Sequence, residues 1–182
     1  MISFKNKILL SAAVISAALM YSCSGNHEEK VPEKELIFKG YHYSLDTILK
    51  TKEGIIHNIE LGEKLNDVKS KESKKPDEMD VDYCLYNYKI DSISNYSVAY
   101  NFVGDSLDEI EVQINTTSLD NGTVILNAMK KYYADKYTAP LMDNGVYVFN
   151  CFDSKKRNFM ITISDNSTTE TGIINLLIYR EK

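Results

Sequence analysis

The sequence predicts an α+β fold: two tandem helix-plus-three-strand units forming antiparallel sheet, with the helices packed on one face. Three observations carry this expectation. Runs rich in Tyr, Val and Ile alternate with polar residues at a period of two. Each group of such runs follows a stretch with helical spacing. The order then recurs at an offset of 64 residues, which sets Pro76 on Pro140, Tyr83 on Tyr147, Leu65 on Met129 and Tyr88 on Phe152.

The elements follow in order. Residues 36–59 are the least regular part, and "LIFKGYHYSL" reads as an extra strand. "LGEKLNDVKSKE" sets Leu61, Leu65, Val68 and Glu72 near helical spacing, and Lys74, Lys75 and Pro76 end it. "VDYCLYNYKI" and "YSVAYNFV" read as strands. Gly104, Asp105 and Ser106 make a turn into "LDEIEVQIN", where Ile110, Val112 and Ile114 alternate with Glu109, Glu111 and Gln113. That strand has one wet face. "NGTVILNAMKKYYADKY" then places Ile125, Leu126, Met129, Tyr132 and Tyr133 along one helical stripe. Strands at "GVYVFNCF", "FMITIS" and "GIINLLIYR" close the chain. The body is a single domain over 36–182, with repeat units at 55–117 and 118–182.

Ahead of this body, Lys5 and Lys7 precede an uncharged apolar run from Ile8 to Met20, broken by Ser11 and Ser16. A basic start and a short apolar run have the form of a signal peptide over 1–22. The run is shorter than the roughly 20 apolar residues that a bilayer span needs. Residues 23–35 are charged, hold Gly25 and Pro32 and lack a hydrophobic period, as a solvated tether does. Loss of residues 1–22 removes two lysines and takes the net charge from −5 to −7. No basic run remains, so nucleic acid is not an expected partner.

Met20, Tyr21, Ser22 and Cys23 resemble the box that ends a bacterial lipoprotein signal. The resemblance implies that Cys23 becomes the lipidated N-terminus and anchors the chain to a membrane of the cell envelope. Ser24 after the cysteine is similar to lipoproteins sent to the outer membrane, in the periplasm or at the surface. "IELGEKLNDV" and the element order resemble the fold shared by β-lactamase-inhibitor protein and the small lipoprotein of the outer-membrane β-barrel assembly machinery. That likeness implies a binding or scaffold role with no catalytic residues.

The residues themselves point the same way. His27, His42 and His57 have no partner at metal-ligand spacing, and HExxH, GxSxG, CxxC and phosphate-loop patterns are missing. No metal or cofactor is expected. The acidic runs "PDEMDVD" and "GDSLDEIE" lack calcium-loop spacing and read as a solvated loop and a solvated strand face. Tyrosine is in excess, at 13 residues with no Trp. Tyr86, Tyr88, Tyr96 and Tyr100 admit two readings, core residues or a recognition face on the open side of the sheet. The expectation taken forward is the face: a non-catalytic protein-binding or scaffold module, with a glycan or cell-wall module as the alternative. Asp46-Thr47-Ile48, Asp91-Ser92-Ile93 and Asp105-Ser106-Leu107 resemble O-glycosylation acceptors of some Gram-negative lineages. Cys84 and Cys151 are expected to stay free, because the 64-residue offset puts them on opposite faces of the sheet.

Overall fold

The computed structural model describes residues 37–51 and 53–180, which fall within one compact unit, Glu35–Lys182. The expected signal peptide, Cys23 and the tether lie outside the described residues. Two short helices come first, α1 (Ser44–Ile48) and α2 (Leu65–Lys71). Four strands follow: β1 (Glu78–Met79), β2 (Tyr83–Lys89), β3 (Asn95–Val103) and β4 (Ser106–Thr116). The long helix α3 (Leu119–Lys136) leads to β5 (Leu141–Asp143), β6 (Val146–Phe152), β7 (Asn158–Asp165) and β8 (Gly172–Tyr179). All eight strands form one antiparallel sheet in the order β1-β2-β3-β4-β8-β7-β6-β5. The sequence misses β1 and β5, which are too short to show alternation. The described part of "LIFKGYHYSL", residues 37–45, is not a strand. It forms turns and then enters α1, held where the buried Asp46 carboxylate accepts the backbone N–H of Ile37 and Phe38.

Local chemistry sets each junction. Ser118 caps α3, its hydroxyl accepting the Asn121 N–H at 3.2 Å. Asn144 and Gly145, with φ of +47° and +84°, join β5 to β6 in the two-residue turn that suits strand twist. Asp91 and Asp153 hold the turns after β2 and β6. Asp91 Oδ1 accepts the Ile93 and Ser94 N–H at 2.8 and 2.7 Å, and Asp153 Oδ1 accepts those of Lys155 and Arg157 at 2.9 and 2.8 Å.

One face of the sheet is covered. Across it run Cys84, Tyr100, Ile110, Ile178, Ile161 and Phe149, each paired with the next and each buried. A second buried row runs through Tyr86, Val98, Val112, Leu176 and Ile163. α3 lays Ile125, Leu126, Met129 and Tyr133 on this face, and Val68 of α2 is fully buried with them. Burying a Leu, Ile or Phe side chain contributes about 1.5–3 kcal/mol before entropy is counted, so these rows are the main source of stability.

The register corrects the expected offset. Tyr86 faces Val98 and Phe149 faces Ile161, each counterpart 63 residues on rather than 64. The two prolines mislead because Pro140 directly precedes β5, whereas Pro76 stands two residues before β1. One residue of slip exchanges the faces of a strand. Cys84 and Cys151 are both free and both buried, and they lie on the same covered face. Distance keeps them apart. Five strand steps separate β2 from β6, about 24 Å at ~4.8 Å each. Burial raises both thiols, Cys151 to about 12, so neither is a thiolate at neutral pH.

Gly122 of α3 meets Gly172 of β8 where helix and sheet come closest. A Cβ at either position would stand 2.7 Å from the other's Cα. Only two glycines permit that approach. Gly122→Ala or Gly172→Ala is expected to cost about 1–3 kcal/mol by overpacking, read as a lower urea midpoint. Gly104→Ala has open space, so strain at its φ of +65° is the only cost there. An unchanged midpoint for Gly172→Ala would contradict this helix placement.

Candidate functional site

The four tyrosines singled out in the sequence lie together, but on the covered side. Tyr86, Tyr96 and Tyr100 are 0%, 1% and 0% exposed, and Tyr88 is half-buried against the core. The open recognition face expected at these positions is therefore corrected. The helices cover the face on which these tyrosines lie, and a buried carboxylate receives the hydroxyls of two of them, Tyr88 and Tyr100. Glu72 caps the C-terminal end of α2 and points into the core. Its oxygens accept bonds from the Tyr100 and Tyr88 hydroxyls, and His57 Nδ1 lies 2.8 Å from Oε1. His57 Nε2 reaches the Ile48 carbonyl at 3.1 Å, and the Tyr96 hydroxyl donates to the Thr47 carbonyl at 2.9 Å. Tyr88 stacks on Tyr96 at 5.1 Å, with Lys50 Nζ 4.1 Å from the Tyr88 ring centre. Burial alone would raise the Glu72 carboxyl. The bonds from His57, Tyr100 and Tyr88 outweigh it and hold the group below the ordinary glutamate range. His57 and Glu72 side chains are 3% and 2% exposed, so the cluster joins α1, α2 and the sheet and offers no surface to a substrate.

The opposite face of the sheet carries no described helix. Strand pairing aligns its side chains into rows. The central row crosses all eight strands as Glu78, Leu85, Ala99, Glu111, Leu177, Thr162, Val148 and Leu141. One side row holds Asn87, Ser97, Gln113, Asn175, Ser164 and Val146. The other holds Tyr83, Asn101, Glu109, Tyr179, Met160 and Asn150. A trough of about 700 Å³ lies over the middle of this face, lined by Tyr83, Leu85, Ala99, Glu109, Glu111, Thr162 and Leu177 among others. This face is the candidate site.

Its electrostatics are one-sided. Lys89, at the end of β2, is the only lysine or arginine in any strand among the described residues. Lysines instead stand on the helices, as Lys69, Lys71, Lys130, Lys131 and Lys136. At the centre of the open face Asn101 Nδ2 donates to Glu109 Oε1 at 2.9 Å and to Glu111 Oε1 at 3.0 Å, so one amide holds both carboxylates. Burial in the trough, then the adjoining Glu111 and Asp108 charges, push the Glu109 carboxyl above the ordinary range against the Asn101 bond.

The sequence located part of this. The wet face of β4, with Glu109, Glu111 and Gln113, stands where the alternation put it. Leu85, Ala99, Val148 and Leu177 were missed, because only the pairing shows that they share a row with Glu111. Of the acidic loop, Asp77 is tied to Lys74 at 2.6 Å, and no group of three metal-ligating side chains occurs among the described residues. Ser92 and Ser106 of the acceptor-like triplets are exposed, and Thr47 of the third is half-buried.

The two carboxylates predict opposite stability effects. Glu72 is held below its unfolded value, so its contribution is present above that value and lost as pH falls through the folded one. Glu72→Ala is expected to cost about 3–5 kcal/mol by leaving buried donors unpaired, read as a lower denaturation midpoint at pH 7. Glu109 is raised, so its charge opposes folding at neutral pH. Glu109→Gln is expected to hold or raise the midpoint at pH 7. A loss as large as that of Glu72→Ala would contradict the assignment of Glu109 to the open face. Comparison of the chain with protein-family models, with curated proteins and with solved structures finds no match.

Proposed function

We propose that this chain is a non-catalytic protein-binding or scaffold module that docks a protein partner on the uncovered face of its sheet. The observation that carries the reading is the central row. Leu85, Ala99, Leu177, Val148 and Leu141 form an apolar line across the sheet, interrupted only by polar side chains at Glu111 and Thr162 and ended by Glu78. Leu141 is 65% exposed. A sheet face with an apolar line between polar rows has the anatomy of a protein interface, with an apolar centre and a polar rim. A glycan or cell-wall ligand is the second reading. The Asn, Gln and Ser side chains of one side row, with Tyr83 and Tyr179 in the other, offer the amide and ring contacts that sugars use.

The finer architecture belongs to the same proposal. The body is read as two tandem units, each a helix followed by strands, that descend from a duplication. Two features support this. The strand order is symmetric about the β4–β8 pair, and Asp91 and Asp153 hold equivalent turns. Each unit has four strands rather than three once β1 and β5 are counted. We further propose anchoring in the cell envelope, at the outer membrane, through lipidated Cys23, on the strength of the Lys5–Cys23 signal.

Two experiments test these readings. A photo-crosslinking residue at Thr162, on the open face, is expected to trap a discrete envelope partner in living cells, and one at Lys131 on α3 is not. Ala99→Arg, aimed into the trough, should abolish the Thr162 adduct. Adducts from Lys131 alone, or Thr162 adducts indifferent to Ala99→Arg, would contradict the docking face. For the anchor, Cys23→Ala is expected to give an unprocessed or soluble chain on membrane fractionation. A processed Cys23→Ala chain retained in the membrane would oppose it.

A further inference from the structure

The open face sets a condition on whatever covers it. Glu111 stands inside the apolar row, between Ala99 and Leu177, and Glu109 lies one row away under the same amide. A partner laid across Leu85, Ala99 and Leu177 would take both carboxylates out of water. Burying a carboxylate without a counter-charge is costly and would offset much of what the apolar row contributes. Among the described residues no lysine or arginine stands in the three rows, and Lys89, the one strand lysine, lies on this face a row beyond Asn87 and two rows from Glu111. The Asn101 amide is a neutral donor shared between two acids. A guanidinium or ammonium from outside is the group that meets both.

We infer that the partner docks through a segment that places a lysine or arginine between Glu109 and Glu111, flanked by apolar side chains that lie on Leu85, Ala99 and Leu177. The inference rests on the docking reading above and names the chemistry of the partner. The charge of the three open-face rows suits it: Glu78, Glu109 and Glu111 stand there with no lysine or arginine among the described residues, which steers a basic segment to them. Glu109, raised by burial and by its acidic neighbours, is relieved by the arriving cation.

The probe is a displayed library of random dodecapeptides, selected against the full chain held in detergent through a C-terminal tag. Enriched peptides are expected to carry a Lys or Arg within two residues of apolar side chains. Their affinity should fall at least tenfold on Glu109→Gln/Glu111→Gln and decline with salt, while Lys131→Gln leaves it unchanged. Thermal unfolding of the double variant establishes that it is folded. Basic peptides that bind the double variant as tightly would overturn the inference. Enriched peptides without a cation, still blocked by Ala99→Arg, would overturn it and leave the docking face standing. Peptides indifferent to Ala99→Arg, or no enrichment, would overturn both.

Discussion

The pairing of β4 with β8 is the interaction on which the rest of this structure depends. Eight aligned positions, from Glu109 with Tyr179 to Thr116 with Gly172, join two sets of hairpins that have no other strand contact. Because side chains alternate at a period of two, this one register decides the fate of every residue in both sets. Ile110–Ile178, Val112–Leu176 and Ile114–Ile174 turn toward α3, and the buried rows extend outward from them. Glu109, Glu111 and Gln113 are thereby turned the other way. The Gly122–Gly172 contact reinforces the choice, since it lets α3 sit against the end of β8.

The covered side shows how a polar cluster can be structural. Glu72, His57 and three tyrosine hydroxyls lie where aliphatic packing alone would be cheaper. With its donors in place the cluster binds α1, the end of α2 and two strands into one arrangement. Removal of one member strands the others. The open side has the reverse character: its polar groups are shared sparingly, and two like charges sit under one amide. Groups that do not stabilise a fold are where binding is to be sought.

Much of the fold was legible in the sequence. The stripe of Ile125, Leu126, Met129 and Tyr133 marks α3, and the alternation through Ile110, Val112 and Ile114 marks β4 and its wet face. The edge strands were not legible, because two or three residues carry no period. α1 is not legible because it is one short turn, and the Asp46 carboxylate folds the preceding residues Ile37 and Phe38 back onto it without leaving a hydrophobic period. The tyrosines show the deeper limit. Parity correctly groups Tyr86 with Tyr88, and Tyr96 with Tyr100, but it cannot say which side a helix covers. The carboxylate that receives the Tyr88 and Tyr100 hydroxyls is Glu72, which in the sequence is only the last residue of a lysine-rich helix. The one-residue error in the repeat offset had the same root: loop prolines were aligned instead of paired strands.

The central claim is therefore an assignment of faces: tyrosines inward, the Glu109–Glu111 row outward. Hydroxyl-radical footprinting of the native full chain reads this directly, by side-chain oxidation resolved residue by residue. The account predicts oxidation at Tyr83, Met160, Leu177 and Tyr179 in the native state, and protection of Tyr86, Tyr96, Tyr100 and Phe159 until denaturant is added. Oxidation of Tyr86 and Tyr100 as fast as Tyr83 would contradict it.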